Sequence, residues 1–174
     1  MAPRELVLVT GPPAAGKTTL ARPLAAALGL PLIGKDLIKE ALFDALGTGD
    51  RAWSRRLGVA SYDVLYAVAG ALPAGVLDAN FGPEAAPRLL ALDAHLIEVC
   101  CRCPAAEVER RFAARAPHRH PGHVDHQLGP EITATLARGA GPLGLGGPVL
   151  EVDTARPVDV AQVAAWVGAQ RYSP

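Results

Sequence analysis

The sequence predicts an α/β fold built on a doubly wound parallel sheet, and three observations carry that reading. Apolar runs and longer helical patterns alternate along the chain in the order β-α-β-α(α)-β-α-β-α-α-β-α. The runs are apolar at consecutive positions, as strands buried on both faces require. The 174 residues suffice for one domain with a substantial core, and neither an internal repeat nor a second domain is visible.

Leu6-Val7-Leu8-Val9 is the first buried strand. An alanine- and leucine-rich helix follows from Gly16 to Leu28 and is closed by Gly29, a residue free to take the left-handed conformation that ends helices. Leu30 to Ile33 reads as a second short strand, and Asp36 to Leu46 as a helix closed by Gly47. Residues 51–72 form a longer helix, with Trp53, Leu57, Ala60, Val64, Val68 and Leu72 at helical spacing; Gly58 and Gly70 weaken it. Gly75 to Ala79 is the third strand, 83–94 a helix, and His95 to Cys101 the fourth strand. A helix over 104–115 has Pro104 in its first turn. The stretch 116–127 is polar, His-rich and interrupted by Pro117 and Pro121, so it is expected to be a mobile loop. A helix over 130–138, an irregular glycine-rich run from Gly139 to Pro148, a strand over Val149 to Val152 and a last helix over 157–170 complete the chain.

Composition excludes several classes. Half of the residues are apolar, which rules out global disorder. Mean hydropathy is +0.20, yet no apolar stretch approaches the roughly 18–20 residues of a membrane span. Leu6 to Val9 is too short for the core of a signal peptide and is broken by Gly11, Pro12 and Pro13, so a cytoplasmic location is expected. Seventeen basic residues balance seventeen acidic ones, which argues against a general nucleic-acid binder. Cys100, Cys101 and Cys103 suit reduced, buried thiols. A monomer or homodimer is expected.

The most informative segment is Gly11-Pro12-Pro13-Ala14-Ala15-Gly16-Lys17-Thr18, with Thr19 following. It fits G-x-x-x-x-G-K-[ST], the phosphate-binding P-loop pattern, and has the context that the pattern demands: a buried strand before and a helix after. Glycines let the backbone wrap closely around phosphate with N–H groups turned inward, and the helix adds the positive end of its dipole. Lys17 is expected to reach the β- and γ-phosphates and Thr18 to ligate Mg²⁺. A nucleoside triphosphate is thus the expected cofactor, together with magnesium.

Gly11 to Thr18, Ile33-Gly34-Lys35-Asp36 and Val76-Leu77-Asp78-Ala79-Asn80-Phe81 together resemble the small P-loop kinases of the adenylate-kinase-like group. The resemblance is strongest to AAA_33-type ATPases and small-molecule kinases, which include chloramphenicol phosphotransferase, gluconate kinase and zeta-toxin kinases. It spans most of the chain, through Val152-Asp153-Thr154. It implies a three-layer α/β/α P-loop NTPase with a five-stranded parallel sheet of order 2-3-1-4-5, a short lid, and phosphoryl transfer from ATP.

Within that frame Asp36 follows the second strand, at the carboxyl edge where open α/β sheets bind ligands, and falls where the family has its acceptor-side aspartate. It is read as general base or acceptor-orienting group; a helix N-cap is the competing role. Asp78 ends the third strand like a Walker B carboxylate that would hold Mg²⁺ opposite Thr18; a strand-end turn aspartate is the alternative. Alanine rather than glutamate follows Asp78, unlike AAA+ mechanical ATPases, and no N-K-x-D run marks a GTPase. Lys35 and Lys39 flank Asp36, either touching an anionic acceptor or phosphate or simply solvated.

Arg110, Arg111, Arg115 and Arg119 lie before or within the polar loop. The spacing of Arg111 and Arg115 resembles the paired arginines that begin the adenylate-kinase-type lid. Arg115 and Arg119 are expected near the γ-phosphate, Arg111 nearer the nucleotide, all neutralising charge on the migrating group. The alternative is a solvated helix face paired with Glu107 and Glu109. His118, His120, His123 and His126 fall within nine residues without zinc-finger spacing; a polar lid is preferred to a metal site. The lid is placed at about 114–127 and the acceptor-side helices at about 36–72.

By resemblance, Trp53, Tyr62 and Tyr66 line the acceptor pocket with Asn80 and Phe81 at its floor, although each aromatic also suits an ordinary core. Thr154, Ala155 and Arg156 border the adenine by the same analogy, with the glycine-rich run before them. The expected function is ATP-dependent transfer of phosphate to a hydroxyl of a small molecule such as a sugar, nucleoside or antibiotic. The alternatives are a nucleotide-binding ATPase or switch acting on a partner protein, and a kinase of a nucleic-acid-linked substrate.

Overall fold

Alternation along the first strand sets the layering. Leu6 and Leu8 face one side of the sheet and Val7 and Val9 the other, and all four are fully buried, so a helical layer is needed on each face. The computed structural model describes residues 4–124 and 141–171. Strands β1 (Arg4–Thr10), β2 (Leu32–Gly34), β3 (Ala74–Asp78), β4 (Ala94–Arg102) and β5 (Val149–Asp153) form one sheet. Its order is β2-β3-β1-β4-β5 with every pairing parallel, as the resemblance implied.

On one face, helices α1 (Lys17–Leu28) and α6 (Val160–Gln170) pack Leu20, Leu24, Val163 and Val167 over Val7, Val9, Ile97 and Val99. On the other, α3 (Arg51–Ala71) and α4 (Ala86–Leu90) pack Leu65, Ala69 and Leu89 over Leu6, Leu8, Leu77 and Leu96. Helix α2 (Lys35–Leu46) lies against α3, and α5 (Ala105–Arg115) follows β4. Gly29 closes α1 at φ +64°, with Leu30 N–H returning to Ala25 O at 3.0 Å.

One expected helix is shorter than its pattern. Instead of a helix over 83–94, a 3₁₀ turn spans Pro83–Ala85, α4 holds five residues, and Asp93 turns the chain at φ +50°. Pro87 at the start of α4 lacks the N–H with which a helix entering from 83 would continue. The helix expected over 130–138, residues 125–127 of the polar loop with His126, and Gly139 lie outside the described residues. Residues 141–148 contain no helix or strand. Among the described residues no helix is long and apolar enough to cross a membrane.

Register positions the site. Val9 of β1 and Gly34 of β2 both pair with Asp78 of β3. The loop after β1, the start of α2 and the Asp78 carboxylate therefore emerge side by side at the carboxyl edge of the sheet.

Candidate active site

Beyond Thr10 the chain turns at Gly11, whose φ of +131° is a glycine conformation; a Cβ here would meet the Cys101 carbonyl oxygen at 2.6 Å. The loop passes so close to β4 that its first residue has no room for a side chain. Gly11→Ala is expected to cost at least about 3 kcal/mol, from a forbidden backbone conformation and a backbone clash together. In thermal unfolding that is a fall of about 6–12 °C; a fall below about 2 °C would contradict the close approach. Ala14 and Gly16 are also left-handed, at φ +60° and +87°, so the loop curls before α1 begins at Lys17. Among the motif's variable positions, Ala14 is the one that lines the cleft; Pro12 and Ala15 are buried in the turn and Pro13 is half-buried.

Lys17 is 7% exposed and its Nζ donates to Pro12 O at 2.6 Å. Burial pulls its ammonium down to about 8, against the opposing pull of Asp78, Cys101 and Asp36. A buried amine with a depressed pKa gains when an anion arrives beside it, which is the electrostatic state a phosphate site needs. Thr18 Oγ1 donates to Asp78 Oδ2 at 2.6 Å. Burial raises the Asp78 carboxyl, with the Thr18 hydrogen bond and Lys17 only partly offsetting it. The Thr18–Asp78 pair thus offers two hard oxygen donors in contact, one of them a carboxylate that burial makes costly to ionise. That donor chemistry fits Mg²⁺. Magnesium bound there would neutralise phosphate charge.

Thr154, just past β5, brackets the loop: its hydroxyl lies 2.6 Å from Ala15 O and 2.9 Å from Arg102 O. Arg111 of α5 donates through Nη2 to Thr154 O at 2.9 Å and through Nε to Glu107 at 2.6 Å. Hydrogen bonds from Arg110 and then Arg111 draw Glu107 down to about 2. These elements enclose a cleft of about 640 Å³. Gly16, Lys17, Thr18 and Thr19 form one wall, Asp36, Asp78 and Asn80 another, and Arg111, Arg115, Thr154 and Arg156 the third.

Asp36 stands in the first turn of α2. Its carboxylate accepts from Lys35 Nζ at 3.2 Å and from Arg119 Nη2 at 2.8 Å. Burial alone would raise it; Lys35, Arg119 and His123 outweigh that and hold it well below the usual carboxylate range. It does not cap α2, because no side chain caps that helix. Asp36, Glu40 and Asp44 recur every four residues on one face of α2 and meet Arg119, His123 and His120 respectively, at 2.8, 3.1 and 3.1 Å. Gly122 lies so close on Phe43 that a Cβ would come within 2.4 Å of its ring, and His120 stacks on the same ring with centroids 5.3 Å apart. Residues 119–123 are therefore laid along α2. Among the described residues no three His, Cys, Asp or Glu side chains group as a metal site.

The structure places several of the sequence-predicted residues away from the positions expected of them. Arg110 does not face the cleft: it pairs with Glu107 on the outer face of α5, since its position points away from the side that carries Arg111. Arg119 is engaged by Asp36 rather than by the phosphate side of the cleft. Trp53, in the first turn of α3, points back toward the helix N-terminus; its indole covers Gly49 and donates to Gly47 O at 2.9 Å. Tyr66 and Phe81 are core residues beneath the sheet edge, 8% and 7% exposed. Tyr62 stays at the boundary, its hydroxyl donating to Asn80 O at 2.7 Å. Lys39, 9% exposed, donates to Ser54, which in turn donates to Gly122 O. Ser54 had no motif to mark it.

A parallel sheet of this order, with a phosphate loop after its central strand and a carboxylate beside it, defines a kinase-like P-loop nucleotide-binding protein. The chain belongs to the AAA_33 family (AAA domain), whose model matches residues 6–137. A candidate kinase from Chloroflexus aurantiacus J-10-fl is similar over 97% of this chain and 99% of its own, with 35% identity and a TM-score of 0.90. Shikimate kinase from Bacteroides thetaiotaomicron (18% identity, TM-score 0.58, 95% and 97% of the two chains) shares the fold. So does a gluconokinase from Sinorhizobium meliloti 1021 (15%, 0.57, 98% and 98%). No curated protein matches the chain.

Proposed function

We propose that this protein is an ATP- and Mg²⁺-dependent kinase that phosphorylates a hydroxyl of a small molecule. The observation that carries the reading is Asp36: an ionised carboxylate in the wall of the phosphate-loop cleft, with no role in capping its helix.

Lys17, Arg111 and Arg115 bind the phosphates, Thr18 and Asp78 hold the metal, and Arg156 borders the nucleoside. Asp36 accepts a hydrogen bond from the acceptor hydroxyl; each carboxylate oxygen retains a lone pair beyond its contact with Lys35 or Arg119. As the acceptor oxygen bonds to the γ-phosphorus, the bond to the β–γ bridging oxygen breaks, ADP leaves, and the hydroxyl proton passes to Asp36. With its pKa held low, Asp36 acts chiefly by aligning the hydroxyl and receives the proton late. The chain acts as one kinase domain in which the region about 114–127 is the lid and the helices of about 36–72 wall the acceptor side. Laid along α2, residues 119–123 set the Arg119 guanidinium on Asp36 and leave the carboxylate partly open to the cleft.

The test is ADP release from ATP and Mg²⁺ in the presence of pooled hydroxylated small molecules. Release is expected to rise at least about tenfold with one pool over ATP alone, the scale of aligning a bound acceptor. A rate that no pool changes contradicts the kinase reading.

A further inference from the structure

Gly122 is buried against the ring of Phe43, closer than a side chain allows: a Cβ there would overlap Cγ and both Cδ atoms. Its φ lies outside the left-handed region, so packing rather than backbone conformation calls for glycine. The ring has nowhere to retreat. Phe43 is 2% exposed; His120 stacks on it at 5.3 Å and His123 meets it edge-on at 5.7 Å. A methyl group on residue 122 would have to draw the chain back by about 1 Å to reach ordinary contact.

Ser54 fixes the same residue from α3. A serine inside a helix can return its hydroxyl to the preceding turn, as Ser61 does to Leu57 O at 2.6 Å. Ser54, 3% exposed, does not. Its hydroxyl accepts from Lys39 Nζ at 3.0 Å and donates to Gly122 O at 3.0 Å, 68 positions away. Helix α2, helix α3 and the segment that carries Arg119 are thus joined at one buried hydroxyl.

What this docking holds in place is the surroundings of Asp36. Arg119 Nη2 lies 2.8 Å from Asp36 Oδ2 and 3.1 Å from His123 Nε2, and His123 directly follows Gly122. A contact of 2.8 Å lengthened by about 1 Å is no longer a hydrogen bond. Among the described residues, the charged and titratable groups that act on Asp36 or feel it are Lys35 of α2, Arg119, His123, Tyr62 of α3, Asp78 of β3 and Lys17 of α1. Of these, Arg119 and His123 belong to the docked segment; burial and Lys35 stay when it shifts.

On the kinase reading above, we propose that Gly122 and Ser54 are positioning residues for the transfer, seating residues 119–123 on α2 so that Arg119 lies on the Asp36 carboxylate. Neither touches the reacting atoms; both act through Arg119.

The experiment follows the carboxyl carbon of Asp36 by magnetic resonance against pH, the signal being the one that Asp36→Asn removes. The wild type is expected to show no titration down to about pH 3, below the ordinary carboxylate value. In Gly122→Ala, two of the three groups that pull the carboxyl down move away. Its midpoint is expected at least about one pH unit above that of the wild type. Ser54→Ala is expected to move it the same way by less, and Ser54→Thr, which keeps the hydroxyl, to leave it in place. Both alanine variants are expected to keep nucleotide affinity within about threefold, which shows the fold intact. With an acceptor pool that stimulates ADP release, kcat of Gly122→Ala is expected to fall about 10–10²-fold, the scale of a displacement of about 1 Å.

A midpoint unmoved in either alanine variant, one moved as far by Ser54→Thr as by Ser54→Ala, or an unchanged kcat overturns the proposal. If Gly122→Ala loses nucleotide binding, the Ser54 pair decides alone. A shifted midpoint in a protein whose ADP release no pool stimulates refutes the kinase reading and leaves the docking standing. Stimulated release with an unmoved midpoint refutes the positioning role and leaves the kinase.

Discussion

Lys17→Met is expected to abolish nucleotide binding and at the same time to make the ligand-free protein more stable. The native ammonium titrates at about 8 instead of its ordinary 10.5 because it is buried. The difference corresponds to about 3 kcal/mol of cost to the folded state at neutral pH. Methionine of similar length removes that cost but forfeits the hydrogen bond to Pro12 O, worth about 1 kcal/mol. The net gain is about 2 kcal/mol, a rise in Tm of about 4–8 °C. In the wild type, the folded state releases the Lys17 proton near pH 8 while the unfolded chain keeps it to about 10.5. The unfolded chain therefore binds more protons in that window, and stability rises with pH there; the variant lacks this rise. Nucleotide affinity has the opposite slope. Phosphate binds the ammonium form, so Kd is expected to increase up to about tenfold per pH unit above pH 8. Thermal unfolding with and without ATP reads all of this. A variant that is less stable than the wild type, or one that ATP still stabilises, contradicts the account of the loop.

Asp36→Asn is expected to lower kcat about 10²–10³-fold, the range for loss of a positioned proton acceptor. Nucleotide affinity is expected to change by less than about threefold, because on the proposed reading Lys17, Arg111 and Arg115, and not Asp36, hold the phosphates. Structural damage should be small. The Asp36 side chain is 43% exposed, so its ion pairs with Lys35 and Arg119 contribute no more than about 1 kcal/mol. A depressed carboxylate pKa stabilises the folded state above the ordinary carboxylate range and loses that contribution as pH falls through that range toward the depressed value. Above about pH 5 both folded and unfolded chains carry this group ionised, so Asp36 adds no acid limb to the rate profile there.

The legible part of the molecule was the part governed by local pattern. Leu6 to Val9 and Val76-Leu77 are apolar at every position, which only a strand covered on both sides explains, and the Gly11–Thr18 spacing between strand and helix has few structural meanings. Asp36 and Asp78 were legible because they follow buried strands, and strand ends in a parallel sheet converge on one edge. The contacts hidden from the sequence join residues far apart in it. Arg119 meets Asp36 across 83 positions, and nothing in the arginine spacing distinguishes a phosphate partner from a carboxylate. Trp53 was misplaced because its direction depends on where α3 begins, and Asp50 caps that helix just three residues earlier. The helix over 83–94 failed where Pro87 and the left-handed Asp93 interrupt an otherwise suitable composition. The contact of Ser54 with Gly122 arises from the docking of residues 119–123 on α2 and α3, a tertiary event that periodicity does not encode.

The central claim, that the phosphate-loop cleft and Asp36 together transfer phosphate to a bound hydroxyl, is tested most directly with ATP labelled on the γ-phosphate. Wild-type protein and Asp36→Asn are each incubated with Mg²⁺ and an acceptor that stimulates ADP release, and the label is traced by mass and phosphorus resonance. The label is expected on the acceptor with the wild type and to reach it about 10²–10³-fold more slowly with the variant, which still binds nucleotide. Label that appears only as inorganic phosphate, at equal rates for both proteins, would contradict the account.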